Sequence, residues 1–379
     1  MILVALGLFA FAPVQGTAPA QTPQGSIWDR LKLEADGRFR AEATIENVDP
    51  ATGNSVEDRY RGRMRFRLGA KYQLADGINL GGRLSTASDA TGGNATDANN
   101  PHWDFGDGDG FSGAGVVLDR YYLDWEASKE LHVLAGKQPH AFAVPPIFGD
   151  FLWDGDISPA GFSATWKPEA GDGPSFDARV AGYVAAENST DHDAKMLGAQ
   201  GNVYLPIDEA KVQVSTAFYD WTNIASIVGT PVAATNQGNN DTDFLVWETF
   251  ASATLPGGPL DEMTGFVQFM ANLEKGEQGL VLGSQLGSSK WQRGNYNAFL
   301  LLYDLDANSV YSPVAQDDTP IAGTGLNIAN GDGMNGIVLG GQYFWRDNVA
   351  LKLWVLTSNA DEADDDPFRI RFDLDFRVK

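Results

Sequence analysis

The stretch YRGRMRFRLGAKYQL, Tyr60 to Leu74, sorts by parity. Arg61, Arg63, Arg65, Arg67 and Lys71 hold the odd places, and Met64, Phe66, Leu68, Ala70 and Tyr72 the even ones. Side chains of a β-strand alternate between faces, so this is a strand with one guanidinium face and one apolar face. The same device recurs in LKLEADGRFRAEATI, residues 31 to 45, and in FRIRFDLDFRVK, residues 368 to 379. Ordinary sheet strands average about five or six residues. Runs this long, greasy on one side and charged on the other, describe a wall between lipid and water.

Composition narrows the alternatives. The 379 residues carry a net charge of -23, so the arginines are a local feature and a nucleic-acid partner is excluded as a class. Cysteine is absent, which removes disulfides, thiolate zinc sites and thiol nucleophiles. The four histidines, His102, His132, His140 and His192, show no metal-ligand spacing. The apolar opening MILVALGLFAFAPV is too short to span a bilayer and runs into Ala18 and Ala20 at small-x-small spacing. Residues 1–20 therefore read as a secretory signal peptide, and 21–379 as one domain. No later run is long and apolar enough for a membrane helix.

Period-two runs separated by turn signals give sixteen expected strands of an all-β, transmembrane antiparallel barrel, with 14 and 18 as alternative counts. They lie near 31–45, 61–74, 77–86, 116–127, 130–138, 160–167, 175–187, 195–205, 211–221, 242–255, 263–275, 279–287, 294–305, 335–345, 349–358 and 367–379. The least certain are 195–205 and 279–287, rich in Gly and Ser, and 242–255, apolar on both faces. Short turns at 75–77, 127–129, 206–209 and 346–348 alternate with longer loops, notably 87–115, 139–159, 222–241 and 306–334. Outer-membrane barrels place short turns on the periplasmic side and longer loops outside, and an even count brings both chain ends to the periplasm.

Barrel closure brings the three long charged strands together, so Arg38, Arg40, Arg63, Arg65 and Arg67 share one inner wall, extended by Arg83 and Arg120. The loop HAFAVPPIFGDFLWDGDISPAG, residues 140 to 161, is apolar with an acidic end, Asp150, Asp154 and Asp156. Folded inward about residues 139–159, it would set those carboxylates across the lumen from the arginines and create a transverse field.

From Val116 to Trp166 the chain reads VVLDRYYLDWEASKELHVLAGKQPHAFAVPPIFGDFLWDGDISPAGFSATW, and from Arg61 to Ala87 RGRMRFRLGAKYQLADGINLGGRLSTA. The LDR-Y-L-W strand, the GKQ strand end and the W-D-x-D-x-x-P-x-G segment resemble the putative-porin family of Gram-negative outer membranes. That resemblance implies an outer-membrane barrel, a homotrimer, conducting small hydrophilic solutes and ions by diffusion, with its third outside loop as constriction. A substrate-specific channel for oligosaccharides or anionic solutes is the alternative, ahead of a structural barrel.

Two further clusters have bland readings. Asp104, Asp107 and Asp109 in WDFGDGDGF could take a structural calcium, but they lack the ligand spacing of an EF-hand and read first as a solvated loop. Ser189 and His192 are the nearest thing to a nucleophile and base, with no orienting partner in sequence, so neither an enzyme nor a cofactor is expected.

Overall fold

The computed structural model describes residues 26–49, 52–87, 102–105, 114–171, 173–189, 192–224, 244–257, 261–321, 333–360 and 363–378. The signal-peptide reading of residues 1–20 lies outside them. The strands are β1 (Leu31–Ile45), β2 (Arg59–Ala75), β3 (Ile78–Ala87), β4 (Trp103–Asp104), β5 (Gly115–Glu126), β6 (Leu131–Lys137), β7 (Ala160–Trp166), β8 (Ser175–Ala186) and β9 (Ala194–Ile207). They continue with β10 (Ala210–Thr222), β11 (Phe244–Pro256), β12 (Glu262–Asn272), β13 (Glu277–Gly287), β14 (Tyr296–Leu305), β15 (Met334–Arg346), β16 (Val349–Thr357) and β17 (Phe368–Val378).

Each pairs antiparallel with its neighbour, and β1 pairs with both β2 and β17, so the sheet closes on itself. Sixteen strands build the wall. The two-residue β4 is additional: it pairs with β2 at Arg63 and Met64, beyond the point where β3 leaves off. Closure leaves no sheet edge, the condition for a β-structure in hydrocarbon, where an unpaired backbone group costs several kcal/mol.

One rim carries the tightest turns, beside connections of up to eight residues at 167–174 and 288–295. β2–β3, β9–β10 and β15–β16 each turn in two residues, and Asp208 (φ 52°), Asn348 (φ 62°) and Gly77 (φ 71°) adopt the left-handed conformation there, which Asn, Asp and Gly tolerate best. The other rim carries most of the longer connections, although β12 and β13 are joined by four residues, drawn tight by Asn272 Oδ1 accepting from the Glu274 and Lys275 N–H groups.

The outer face is apolar and bare: Leu118, Phe162 and Leu353 are 53%, 68% and 55% exposed. Trp125, Trp166, Tyr296, Tyr343 and Trp345 are also exposed and fall at strand ends on the tight-turn rim, as an interfacial aromatic girdle does. A continuous apolar belt of this kind has no place in water and fits a lipid surround.

The two Gly-rich segments that sequence left uncertain are full strands, β9 and β13. Their inward glycines make room. A Cβ on Gly198 would sit 2.4 Å from Phe142 Cζ, and one on Gly283 2.0 Å from Phe266 Cε1. These glycines are gaps for rings that fill the lumen, and the ladder hydrogen bonds run on beneath them.

Candidate functional site: the lumen between the arginine wall and two inward loops

Register places the charges. Across β17, β1 and β2, Asp375, Arg38 and Arg65 fall in one row; Asp373, Arg40 and Arg63 in the next; Arg371, Glu42 and Arg61 in a third. Arg38 Nε donates to Asp375 at 2.6 Å, and Arg40 grips Asp373 with two bonds of 2.7 and 3.0 Å. Glu42 accepts from both Arg61 and Arg371. Asp104 on β4 takes Arg63 at 2.6 Å and Arg61 at 3.2 Å, while Asp36 takes Arg67 at 2.9 Å. On β5 a bulge opposite Arg83 inserts Asp119 as an extra residue, and Arg83 Nε donates to it at 2.9 Å. Buried pairs of this kind recover little more than their desolvation cost, so they fix where each guanidinium points more than they stabilise the barrel.

The loop 139–159 lies inside. Phe142, Ile147, Phe151, Leu152, Trp153 and Ile157 are buried, Phe142 and Trp153 against β8 and β10 and Phe151 against Tyr303 of β14 at 5.0 Å. Phe142 stands edge-on to Tyr219 at 4.8 Å between centroids, and Trp153 lies 5.4 Å from Tyr219 and 5.9 Å from Trp221. Loop backbone groups that leave water need partners, and wall side chains supply them. Gln200 accepts from Ala143 N–H at 2.7 Å and donates to Ala143 O at 2.9 Å, and Tyr183 Oη accepts from Ala141 N–H at 3.0 Å.

Replacing Gly198 by leucine will push Phe142 out of its dent at a cost of about 1–3 kcal/mol of overpacking. Proteinase K should then cut within residues 139–159 while wild type stays intact there; equal resistance would show that the loop does not depend on this dent.

At the loop's acidic end Asp156 touches the wall directly. Asp156 accepts from Arg65 at 2.8 and 2.9 Å and from Arg67 at 2.6 Å. Burial pushes its carboxyl up, but Arg65, Arg67 and Arg38 together outweigh that and hold it down at about 2. Asp154 Oδ1 accepts from the Asp156 N–H at 2.7 Å and so shapes the turn. Ser158 accepts from Arg120 Nε at 2.9 Å. Arg83 and Arg120 thus secure the loop's end and stand beside the cavity, outside its lining.

A second connection, 306–321, also folds inward, which sequence reading missed. Tyr311 packs on Trp221 at 4.2 Å, Val314 O accepts from Asp154 N–H at 2.8 Å, and Asp318 bonds to Arg371 and stands 3.5 Å from Arg40. Its carboxyl, pushed up by burial, is held below the usual range by Arg371 and Arg40. The apolar Val310, Tyr311, Ala315 and Ile321, spaced among polar residues, were the available signal.

Between these loops and the wall lies a cavity of about 400 Å³. Arg38, Arg40, Arg63, Arg65, Arg67, Asp154 and Asp156 all line it, joined by Asp317, Asp318, Gln285, Asn297, Gln342, Lys352 and Trp354, which sequence reading did not single out. The Asp150 side chain, Asp107 and Asp109 lie outside the described residues. Asp104 is held by arginines, and the described residues contain no group of three His, Asp or Glu placed to hold a metal. Neither Ser189 nor His192 reaches the cavity lining.

Residues 15–252 match a family model described as "Putative porin". No curated protein matches the chain. Among solved structures, Pseudomonas putida OprB at high pH aligns with TM-score 0.60 and 10% identity, covering 93% of this chain and 95% of that one. Salmonella typhi OmpF in complex with daunomycin aligns with TM-score 0.52 and 12% identity over 92% and 97% of the two chains. At such identities the likeness is one of fold.

Proposed function

This chain belongs to the putative porin family, and from that premise we propose that it is a passive diffusion channel of the Gram-negative outer membrane for small hydrophilic solutes and ions. Family and fold point to a channel and away from an enzyme. The observation that carries the proposal is the polar cavity itself: about 400 Å³ in the lumen of a closed wall whose outer face is apolar. Its constriction is formed by Arg38, Arg40, Arg63, Arg65 and Arg67 against Asp154 and Asp156, with Arg83 and Arg120 holding the loop in place. The leader reading of residues 1–20 and a homotrimeric assembly complete the proposal, the latter on family resemblance alone.

Because the guanidiniums are already paired with carboxylates, this lumen is a lattice of alternating charge more than a basic track. Such a lattice selects for solutes with polar surface and strong dipoles, and sorts ions only weakly by sign. The test is single-channel recording in planar bilayers with a salt gradient. An ohmic conductance step is expected, and charge reversal at Arg65 or at Asp154 should move the reversal potential in opposite directions. A protein that inserts and conducts nothing overturns the proposal.

A further inference from the structure

Among the described cations that line the cavity, one is not spent on a carboxylate. Lys352 on β16 faces Asp373 across the ladder, yet Asp373 is taken by Arg40, and Lys352 has no carboxylate within ion-pair distance among the described residues. Its ammonium lies 3.7 Å from the centre of the Trp354 ring and borders the cavity. Trp354, 2% exposed, also borders the cavity, and its Nε1–H has no hydrogen-bond partner among the described residues. Leaving a buried donor unpaired is costly, and the cost is recovered when an acceptor arrives.

The register continues the row. Lys352 stands opposite Gln342 on β15, and Gln342 opposite Asn297 on β14. Asn297 Nδ2 donates to Ser289 Oγ at 3.2 Å, while its Oδ1, buried, accepts from nothing among the described residues. Two donors without acceptors therefore stand at one end of a row about 10 Å long, two strand spacings, and an acceptor without a donor at the other.

We infer that Lys352, Trp354, Gln342 and Asn297 form a binding subsite in the lumen for a small hydroxylated monocarboxylate, of the sugar-acid type. The carboxylate takes the Lys352 ammonium and the Trp354 N–H, and hydroxyls along the chain reach Gln342 and Asn297. A singly charged head matches the single lining ammonium that no carboxylate holds. The face of Trp354 is covered by Lys352, Arg40 and Arg371, at 3.7, 5.2 and 5.1 Å, so this indole is not open to a stacked neutral sugar. The inference rests on the channel reading and adds a solute class to it.

The experiment is block of the single-channel chloride current by gluconate, compared with glucose, acetate and glucose 6-phosphate, in wild type, Lys352→Met and Lys352→Arg. Conductance before any addition tests the channel reading separately and reports that each variant has folded and inserted. Gluconate should produce saturable block at a concentration at least about tenfold below that of the other three. Lys352→Met should raise its half-blocking concentration about tenfold or more, the weight of one charge-assisted hydrogen bond, and Lys352→Arg should recover most of the loss. Block that is equal for glucose, stronger for glucose 6-phosphate, or unchanged in Lys352→Met overturns the subsite while leaving the channel standing.

Discussion

Replacing Trp153 by alanine will release the loop 139–159 from the lumen and enlarge the conducting path. Trp153 is 2% exposed and packs on Phe142 at 5.4 Å, His140 at 5.6 Å and Trp221 at 5.9 Å. Truncating a buried aromatic to alanine costs about 3–5 kcal/mol. The loop's polar anchors, Gln200 on Ala143 and Arg65 and Arg67 on Asp156, contribute about 0.5–1.5 kcal/mol net for an ordinary bond, and little more for a desolvated ion pair. The apolar anchor therefore decides the docking. The wall does not depend on it, because the closed backbone ladder holds the barrel. Single-channel conductance should rise and become noisy in Trp153→Ala and stay near wild type in Trp153→Phe. Identical currents in all three would mean that the loop does not limit the path.

The strands were legible because parity is a local property. Once β1, β2 and β17 read as long alternations, faces followed, and with them the inward set from Arg38 to Arg67. The inward loop was legible too, since HAFAVPPIF is too apolar to stay in water. What parity does not carry is register. That Asp373 belongs to Arg40, Asp375 to Arg38 and Glu42 to Arg371 depends on how the chain's two ends pair across more than 300 residues, so the wall read as basic when it is alternating. The bulge that turns Asp119 toward Arg83 is invisible for the same reason. Lys352 and Trp354 stood out neither by charge nor by periodicity. Their meaning comes from an ion pair formed elsewhere, between Arg40 and Asp373, which leaves Lys352 over.

Acidification will loosen the same loop in two separable stages, and His140 governs the first. Burial, aided by the guanidiniums of Arg120 and Arg179, pushes the His140 imidazole down to about 4, and its Nδ1 has no partner in the docked loop. An undocked His140 titrates near its ordinary value of about 6.5. A base whose pKa is depressed in the docked state supports docking fully above the undocked value, and that support is lost as pH falls from about 6.5 to about 4. With each pKa unit worth about 1.4 kcal/mol, the loss amounts to about 3 kcal/mol. Asp156 behaves as a depressed acid: its contribution is complete above its ordinary value of about 3.9 and disappears only as pH falls to about 2. Between pH 7 and 4 the ion pairs with Arg65 and Arg67 therefore persist while the aromatic side of the loop weakens around an imidazolium. Recordings over that range should show wild-type current growing noisier toward pH 4, and His140→Gln holding steady until about pH 4 before the Asp156 stage sets in. If His140→Gln follows the wild-type curve, the first stage belongs to another group.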